Sequence, residues 1–360
     1  MTLGIEAVNI RNGGGLDHLR RMIEFINRSN HFSKIVVFTN SKTSKLLRNN
    51  SKIILVNKTI YDLPFIFNLI YQFFFLKRDL KKFGCSIVFV PGTIFLSKFP
   101  FVVLPQNMLA FDKIERSRFG FFQRLKLELI SSFHIYSIKK ANSVIFLSNY
   151  AKNIISKNFS SALKHTVIPH GITSNHFETR KINKQEKLKL LYVSPFYPYK
   201  HQDKVIHSVV ELVNEGLNLD LTLVGHGASK EMIEISSKYN FINIVGHVEP
   251  SKINYYYKKS DLFIFASTCE NFPITLLEAM SFGLPVLCSN YGVMPEVLNS
   301  KSEVYFNPLE KYSIKKAIRF VYNDENILKV EAVSNYKKSL NYDWDNTFNL
   351  TFDFIKNSIS

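Results

Sequence analysis

The sequence lacks most of the features that would assign a chemistry at once. Its 360 residues include three cysteines, Cys85, Cys269 and Cys288. They are scattered, odd in number and without a CxxC spacing, which excludes a disulfide framework and a cysteine zinc site and suits a reducing cytosol. The ten histidines form no HxxxH or HxH cluster, so no metal is expected. Signatures of the GxSxG, Walker and protein-kinase kinds are missing. The longest apolar run, LPFIFNLIYQFFFL at 63–76, has 14 residues, short of the roughly 20 that span a bilayer. The opening MTLGIEAV leads into a strand-like pattern without the basic start and apolar block of a secretion signal. Neither export nor a membrane span is expected.

Acidic residues are scarce in one half only. Residues 1–175 hold 25 Lys and Arg against 8 Asp and Glu, whereas residues 176–360 hold 21 of each. All of the +17 net charge is therefore N-terminal. A merely Lys- and Asn-rich composition would enrich both halves alike, so the asymmetry points to a surface for an anionic partner. Membrane lipid, a phosphorylated acceptor and nucleic acid all meet that description. No RNP-like or helix-turn-helix signature supports nucleic acid, and positive charge alone gives only salt-sensitive, nonspecific binding.

What is present is a regular alternation. With 46% hydrophobic residues the chain can pack, and its length suits two domains better than one. From 188 onward, short apolar runs (LKLLYVS, LDLTLVG, INIVG, DLFIFAS, PVLCS, EVYF) alternate with amphipathic helical patterns at 203–214, 229–239 and 313–323. Strands apolar on both faces and separated by helices make a parallel sheet covered on both sides. The N-terminal half follows the same plan less regularly, with LGIEAVNI leading through RNGGG into a helix from about Leu16 to Arg28. The expected architecture is α/β, two Rossmann-like doubly wound domains facing a cleft: residues 1–172, a polar connection at 173–187, and residues 188–340. Ligands in such sheets bind outside the carboxyl ends of the strands, so the loops there should carry the chemistry.

Three loops stand out. In STCENFPITLLEAMSFGLPVLCSN (267–290), Glu270 follows a strand, and Glu278 lies about two turns into a helix that Gly283 ends. A buried carboxylate needs a hydrogen-bonding partner. A pair of ribose hydroxyls would serve; so would a basic residue or a neighbouring backbone. In SPFYPYKHQ (194–202), Lys200 sits at a helix entrance, where backbone N–H groups already favour an anion such as phosphate, although an exposed loop lysine reads the same way. In IRNGGGLDH, Gly13, Gly14 and Gly15 allow close approach of a ligand, or simply a tight turn. The GHG at 225–227 adds His226, and His247 follows later; both are open to cleft contacts or to solvent.

Taken together, these motifs resemble the retaining, GT-B-fold glycosyltransferases of family 4 over nearly the whole chain, most strongly from 188 to 298. The carriers are the E-x7-E pattern of Glu270 and Glu278, PEVL with Glu296, VIPHGI (167–172) and the lysine loop LLYVSPFYPYKHQ. PQNMLAFD and RLKLELI…KKANSVIFLS look like bacterial transferases that build O-antigen, capsule or other surface polysaccharides. The resemblance implies a nucleotide-sugar donor, UDP- or GDP-linked, on the C-terminal domain. Glu278 would hold the ribose, Lys200 the diphosphate and Glu270 the transferred sugar, with Gly14, Gly15, Pro273, Ile274 and Thr275 also lining the donor. Glu270 and Lys200 would be the catalytic pair, and neither cofactor nor metal is implied. Asn107 and His226 would touch the acceptor or the sugar. The helix at about 345–360 would pack back on the first domain.

Two positions depart from the family pattern. Pro195 stands where members often carry an arginine, leaving Arg11, Lys204 or His201 to supply the second cation. Gln106-Asn107 replaces a histidine-containing stretch. If the acceptor is a polyprenyl-diphosphate-linked saccharide, the basic half would dock on an anionic membrane at the cytoplasmic face of the bacterial inner membrane, each nearby cation contributing about 1 kcal/mol. Residues 113–140, with seven Lys and Arg, two acids and many aromatics, read as a surface-lying helix, and 61–83 reads as a second one or as a core helix with a basic end. Another enzyme on the same fold, a nucleotide-sugar epimerase or a phosphorylase, fits the same motifs, as does a basic nucleic-acid-binding protein more distantly.

Overall fold

The computed structural model describes residues 1–11, 13–47, 51–92, 94–160, 162–173, 187–300 and 302–359. The chain divides into two compact units. The first comprises Met1–Arg116, Gly120–Gly171 and the C-terminal segment from Trp344; the second comprises Ser117–Phe119 and Ile172–Asp343. The expected connection at 173–187 lies almost wholly outside the described residues.

The first unit is built on seven parallel strands: β1 (Thr2–Ala7), β2 (Lys34–Thr39), β3 (Ile53–Val56), β4 (Ile87–Pro91), β5 (Phe101–Leu104), β6 (Ser143–Phe146) and β7 (Lys164–Val167), in the order β3-β2-β1-β4-β5-β6-β7. The second has six: β8 (Leu188–Val193), β9 (Leu219–Val224), β10 (Ile242–Gly246), β11 (Leu262–Phe265), β12 (Val286–Ser289) and β13 (Tyr305–Phe306), in the order β10-β9-β8-β11-β12-β13. All pairings are parallel, so each strand needs a crossover, and helices cover the faces. That is why β4, β5 and β6 are apolar and buried on both sides, as the continuous apolar runs demanded. The strand order reverses between β1 and β4 in one unit and between β8 and β11 in the other. Crevices form at the carboxyl ends of such switch points.

Several local boundaries differ from the sequence expectation. The first helix runs Gly13–Arg28, so Gly14 and Gly15 form its first turn instead of a loop before Leu16. The last strand of the second sheet is only Tyr305–Phe306, because the residues before it form a 3-10 turn. The 61–83 segment is broken at Phe75 into helices Phe65–Phe74 and Leu76–Lys82. Among the described residues, no helix is long and apolar enough to cross a membrane.

The 113–140 stretch forms two helices, Lys113–Ser117 and Phe121–Lys140. The longer one buries Ser131, His134 and Ser137 beside Ile138 while it exposes Phe121, Phe122, Leu125 and Leu129. Arg116 does not belong to its surface charge. Its guanidinium is 2% exposed, pairs with both oxygens of Glu128, and donates to the carbonyls of Leu109 and Ala110.

Gly225 joins two strand ends of the second sheet. Its φ is +156°, and a Cβ there would lie 1.9 Å from the Ser194 carbonyl oxygen. The adjacent backbones are tied by Ser194 N–H to Val224 O at 2.9 Å and Phe196 N–H to His226 O at 2.9 Å. Backbone cannot move aside as a flexible side chain can. Gly225→Ala is therefore expected to cost about 3 kcal/mol or more. Urea unfolding reads this directly, and an unchanged midpoint would refute the close approach.

Candidate functional site

The second unit brings its chemistry to the switch point between β8 and β11. The loop after β8 passes through a 3-10 turn, Pro198–Lys200, and a left-handed His201 (φ 50°), before the helix Gln202–Asn214 begins. Lys200 thus precedes that helix by two residues rather than capping it. Tyr192, inside β8, fixes this loop to the next: its hydroxyl donates to the Lys200 carbonyl at 2.5 Å and accepts from the Ala266 N–H at 3.2 Å. Burial, and then the Glu270 charge, hold the Tyr192 phenol well above its usual pKa, so it remains a donor. Thr268 N–H donates to the Tyr199 carbonyl at 2.9 Å, and His201 Nε2 lies 3.1 Å from Thr268 Oγ1.

The result is a lysine and a glutamate held face to face. Lys200 Nζ donates to Glu270 Oε1 with side chains only 10% and 15% exposed, and the ammonium also lies 5.0 Å from the Phe265 ring centre. An ion pair taken this far out of water gives little net stability, because desolvation offsets the attraction. Its presence at a strand-end crevice is therefore better explained by use than by stability. Lys200 can hand its charge to an incoming anion, which leaves Glu270 to accept hydroxyl hydrogens.

Glu278 is the fifth residue of the helix Ile274–Ser281, slightly over one turn in instead of two, and Gly283 follows that helix at φ +65°. The partner anticipated for its carboxylate includes a tyrosine: Tyr257 Oη donates to Glu278 Oε2 at 2.8 Å. Burial and the adjacent carboxylate push the Tyr257 phenol well above its usual pKa, so this donor is permanent and orients the acid. Pro273 caps the helix, with Ile274 and Thr275 in its first turn, where backbone N–H groups favour an anion. Glu270, Lys200, Glu278, Pro273, Ile274 and Thr275 thus lie on two neighbouring crossovers of one sheet.

The remaining residues stand apart from this group. Gly14 and Gly15 belong to the first unit, as does Asn107, which is exposed and accepts from Leu109 N–H at 3.0 Å to cap a 3-10 turn. His226 is exposed beside His247, with ring centres 6.4 Å apart. Of the substitute cations, His201 is buried and its pKa falls to about 4, chiefly through burial and then through the charges of Lys204 and Arg118, which leaves it neutral. Lys204 donates to the Pro308 carbonyl at 2.8 Å. Arg118, within the 117–119 stretch that groups with the second unit, is a cation near the lysine loop that the sequence did not single out, since its position depends on a fold contact and not on spacing. Among the described residues, no three His, Cys, Asp or Glu stand close enough to hold a metal ion.

Comparison with known proteins follows the same lines. Residues 174–339 match the family model described as "Glycosyl transferases group 1". Protein CapJ of Staphylococcus aureus is 32% identical over 199 residues, which is 47% of this chain and 50% of CapJ. The chain spans about half the length of such curated relatives. Among solved structures, Anabaena HepE in complex with UDP and glucose superposes with a TM-score of 0.73 at 15% identity, covering 99% of this chain and 100% of HepE. WaaG, a glycosyltransferase involved in lipopolysaccharide biosynthesis, gives 0.72 at 15% identity and covers 99% of each chain. The chain therefore has the GT-B fold, and its residues 174–339 are similar to the group 1 glycosyl transferases.

Proposed function

We propose that the protein is a retaining, metal-independent glycosyltransferase that moves a hexose-type sugar from a UDP- or GDP-sugar to a saccharide carried on a polyprenyl diphosphate, in bacterial surface polysaccharide synthesis. The observation that carries this reading is the enclosed Lys200–Glu270 pair at the β8/β11 switch point, whose glutamate shares the crossover after β11 with Glu278. UDP and glucose in the HepE complex support the donor class, and the involvement of WaaG in lipopolysaccharide biosynthesis supports the pathway.

In this reading the ribose hydroxyls donate to Glu278, each charge-assisted bond being worth about 1.5–3 kcal/mol. Lys200 and the first turn of the Ile274–Ser281 helix face the diphosphate. Breaking the bond between the anomeric carbon and the phosphate oxygen leaves its electron pair on the oxygen, and Lys200 stabilises the charge that develops there. Glu270, released by Lys200, accepts hydroxyl hydrogens of the oxocarbenium-like sugar. The acceptor hydroxyl attacks from the face the diphosphate is leaving, and its proton passes to the departing phosphate oxygen. No protein base is required. The basic first half and its exposed aromatic residues would hold the protein at the cytoplasmic face of the inner membrane.

The test is donor binding followed by product release. Glu278→Ala should raise the Kd for the donor nucleotide about 10- to 100-fold, the loss of one or two charge-assisted bonds. Unchanged affinity in calorimetry would discard the ribose assignment. Release of nucleoside diphosphate only when acceptor is present separates transfer from epimerisation, and insensitivity to inorganic phosphate separates it from phosphorolysis.

A further inference from the structure

The first unit has a switch point of its own, between β1 and β4, and a cavity of about 380 Å³ opens there. Its size falls within the range of small-molecule sites, roughly 300–1,000 Å³. Its floor includes Glu6, from an otherwise apolar strand (TLGIEA), and Asn9 from the loop beyond. Glu6 is 5% exposed and accepts a hydrogen bond from Val8 N–H at 3.3 Å. Burial pushes its carboxyl up to about 7, against the lowering effect of Val8 N–H and Gln72. Such a group is costly to keep in a sheet whose neighbouring strands are apolar, with Phe38 as its register partner on β2. A second buried polar group faces the same space: His134 is 5% exposed, its Nδ1 has no hydrogen-bond partner among the described residues, and burial lowers its pKa to about 4.

The walls are of a different character. Phe65 comes from the Phe65–Phe74 helix, and Lys126 and Ile130 come from the Phe121–Lys140 helix. Both helices carry exposed apolar surface: Phe67, Phe74, Phe121, Phe122, Leu125 and Leu129 are 45% to 85% exposed. The cavity therefore has hydrogen-bonding groups at its base, a cation on its wall, and hydrocarbon-compatible helices around it.

We propose that this cavity seats the terminal sugar of an amphiphilic acceptor, with Glu6 accepting its hydroxyl hydrogens and its hydrocarbon part running out along the Phe65–Phe74 and Phe121–Lys140 helices. The proposal rests on the acceptor half of the function proposed above and names its subsite. Polar groups matched to hydroxyls set orientation, while the apolar rim contributes area. A free sugar should therefore bind far more weakly than one with an alkyl tail.

The experiment titrates the full chain with n-octyl glycosides of glucose, galactose, mannose and N-acetylglucosamine, each below its micelle concentration, and with the four free sugars. At least one octyl glycoside should bind in calorimetry at least tenfold more tightly than its free sugar. Glu6→Gln should weaken it about tenfold, the loss of one hydrogen bond to a charged group, and Asn9→Ala, at an exposed position, should weaken it about threefold. Glu6→Gln removes a buried carboxyl and should melt no lower than wild type. Donor-nucleotide binding is read in the same samples. Intact donor binding with no glycoside bound, or with equal glycoside affinity in wild type and Glu6→Gln, overturns this subsite and leaves the donor reading standing. Glycoside binding that depends on Glu6 in a protein that binds no donor supports the subsite and sinks the transferase reading. Equal affinity for free and alkylated sugar also overturns the proposal, since the helices would then contribute nothing.

Discussion

Lys200→Ala should lower the rate of transfer about 10²- to 10³-fold, the usual effect of removing one fixed group aimed at developing charge. The loss should fall mainly on kcat. The ammonium stabilises the departing diphosphate more than the ground state, so donor KM should change little. Lys200→Arg should not restore the rate, because a planar fork cannot take the place of a compact charge enclosed by Phe265, Tyr199 and Glu270. The alanine variant also leaves Glu270, 15% exposed, without its ion-pair partner, at a cost of about 1–3 kcal/mol. The double variant Lys200→Met/Glu270→Gln removes both charges at once and should melt close to wild type while remaining inactive. Wild-type turnover in either protein would remove Lys200 from the chemistry.

The two sheets and the positions of Glu270, Lys200 and Glu278 were legible because they depend on local pattern. Apolar runs such as DLFIFAS mark the strands, and residues just after a run must emerge at the carboxyl end of the sheet. What pairs with what was not legible. Lys200 and Glu270 are 70 residues apart in sequence and meet through the adjacency of β8 and β11, which spacing does not reveal. Tyr257 reaches Glu278 from another crossover for the same reason. Glu6 was overlooked because a lone acid in a strand reads as a solvent-facing position in an alternating pattern. Only the observed burial of Gly4 and Glu6 on one face, as well as of Leu3, Ile5 and Ala7 on the other, shows that both faces of β1 are covered. Arg116 was misread in the opposite direction. It counted as surface charge by composition, and the fold draws it inward onto Glu128.

Acid should destabilise the first unit well before carboxylate ion pairs are lost. His18 and His170 pack at 4.9 Å with Trp344 5.7 Å from each, and burial lowers the pKa of His18 to about 3 and that of His170 well below its usual value. His134, apart from them, falls to about 4 for the same reason. A histidine whose folded pKa is depressed contributes stability above its unfolded value, and that stability is lost as pH drops below about 6.5. At pH 5 His18 and His134 should each have lost about 2 kcal/mol relative to pH 7.5, together about 4 kcal/mol, and His170 adds to the loss in the same direction. Glu6 works in the opposite direction: its folded pKa, about 7, is above the unfolded one. Protonation on going to pH 5 therefore returns about 2.5 kcal/mol. The net loss expected is therefore at least about 1.5 kcal/mol. Trp344 is the only tryptophan in the chain and belongs to the cluster, so its emission in urea titrations at the two pH values reports the transition where it originates. Glu6→Gln should steepen the pH dependence by removing the offset, and His18→Leu should flatten it by about 2 kcal/mol. Equal stability at pH 7.5 and pH 5 in all three proteins would mean that these imidazoles are hydrated, and the aromatic packing of the C-terminal helix against the first would have to be abandoned with it.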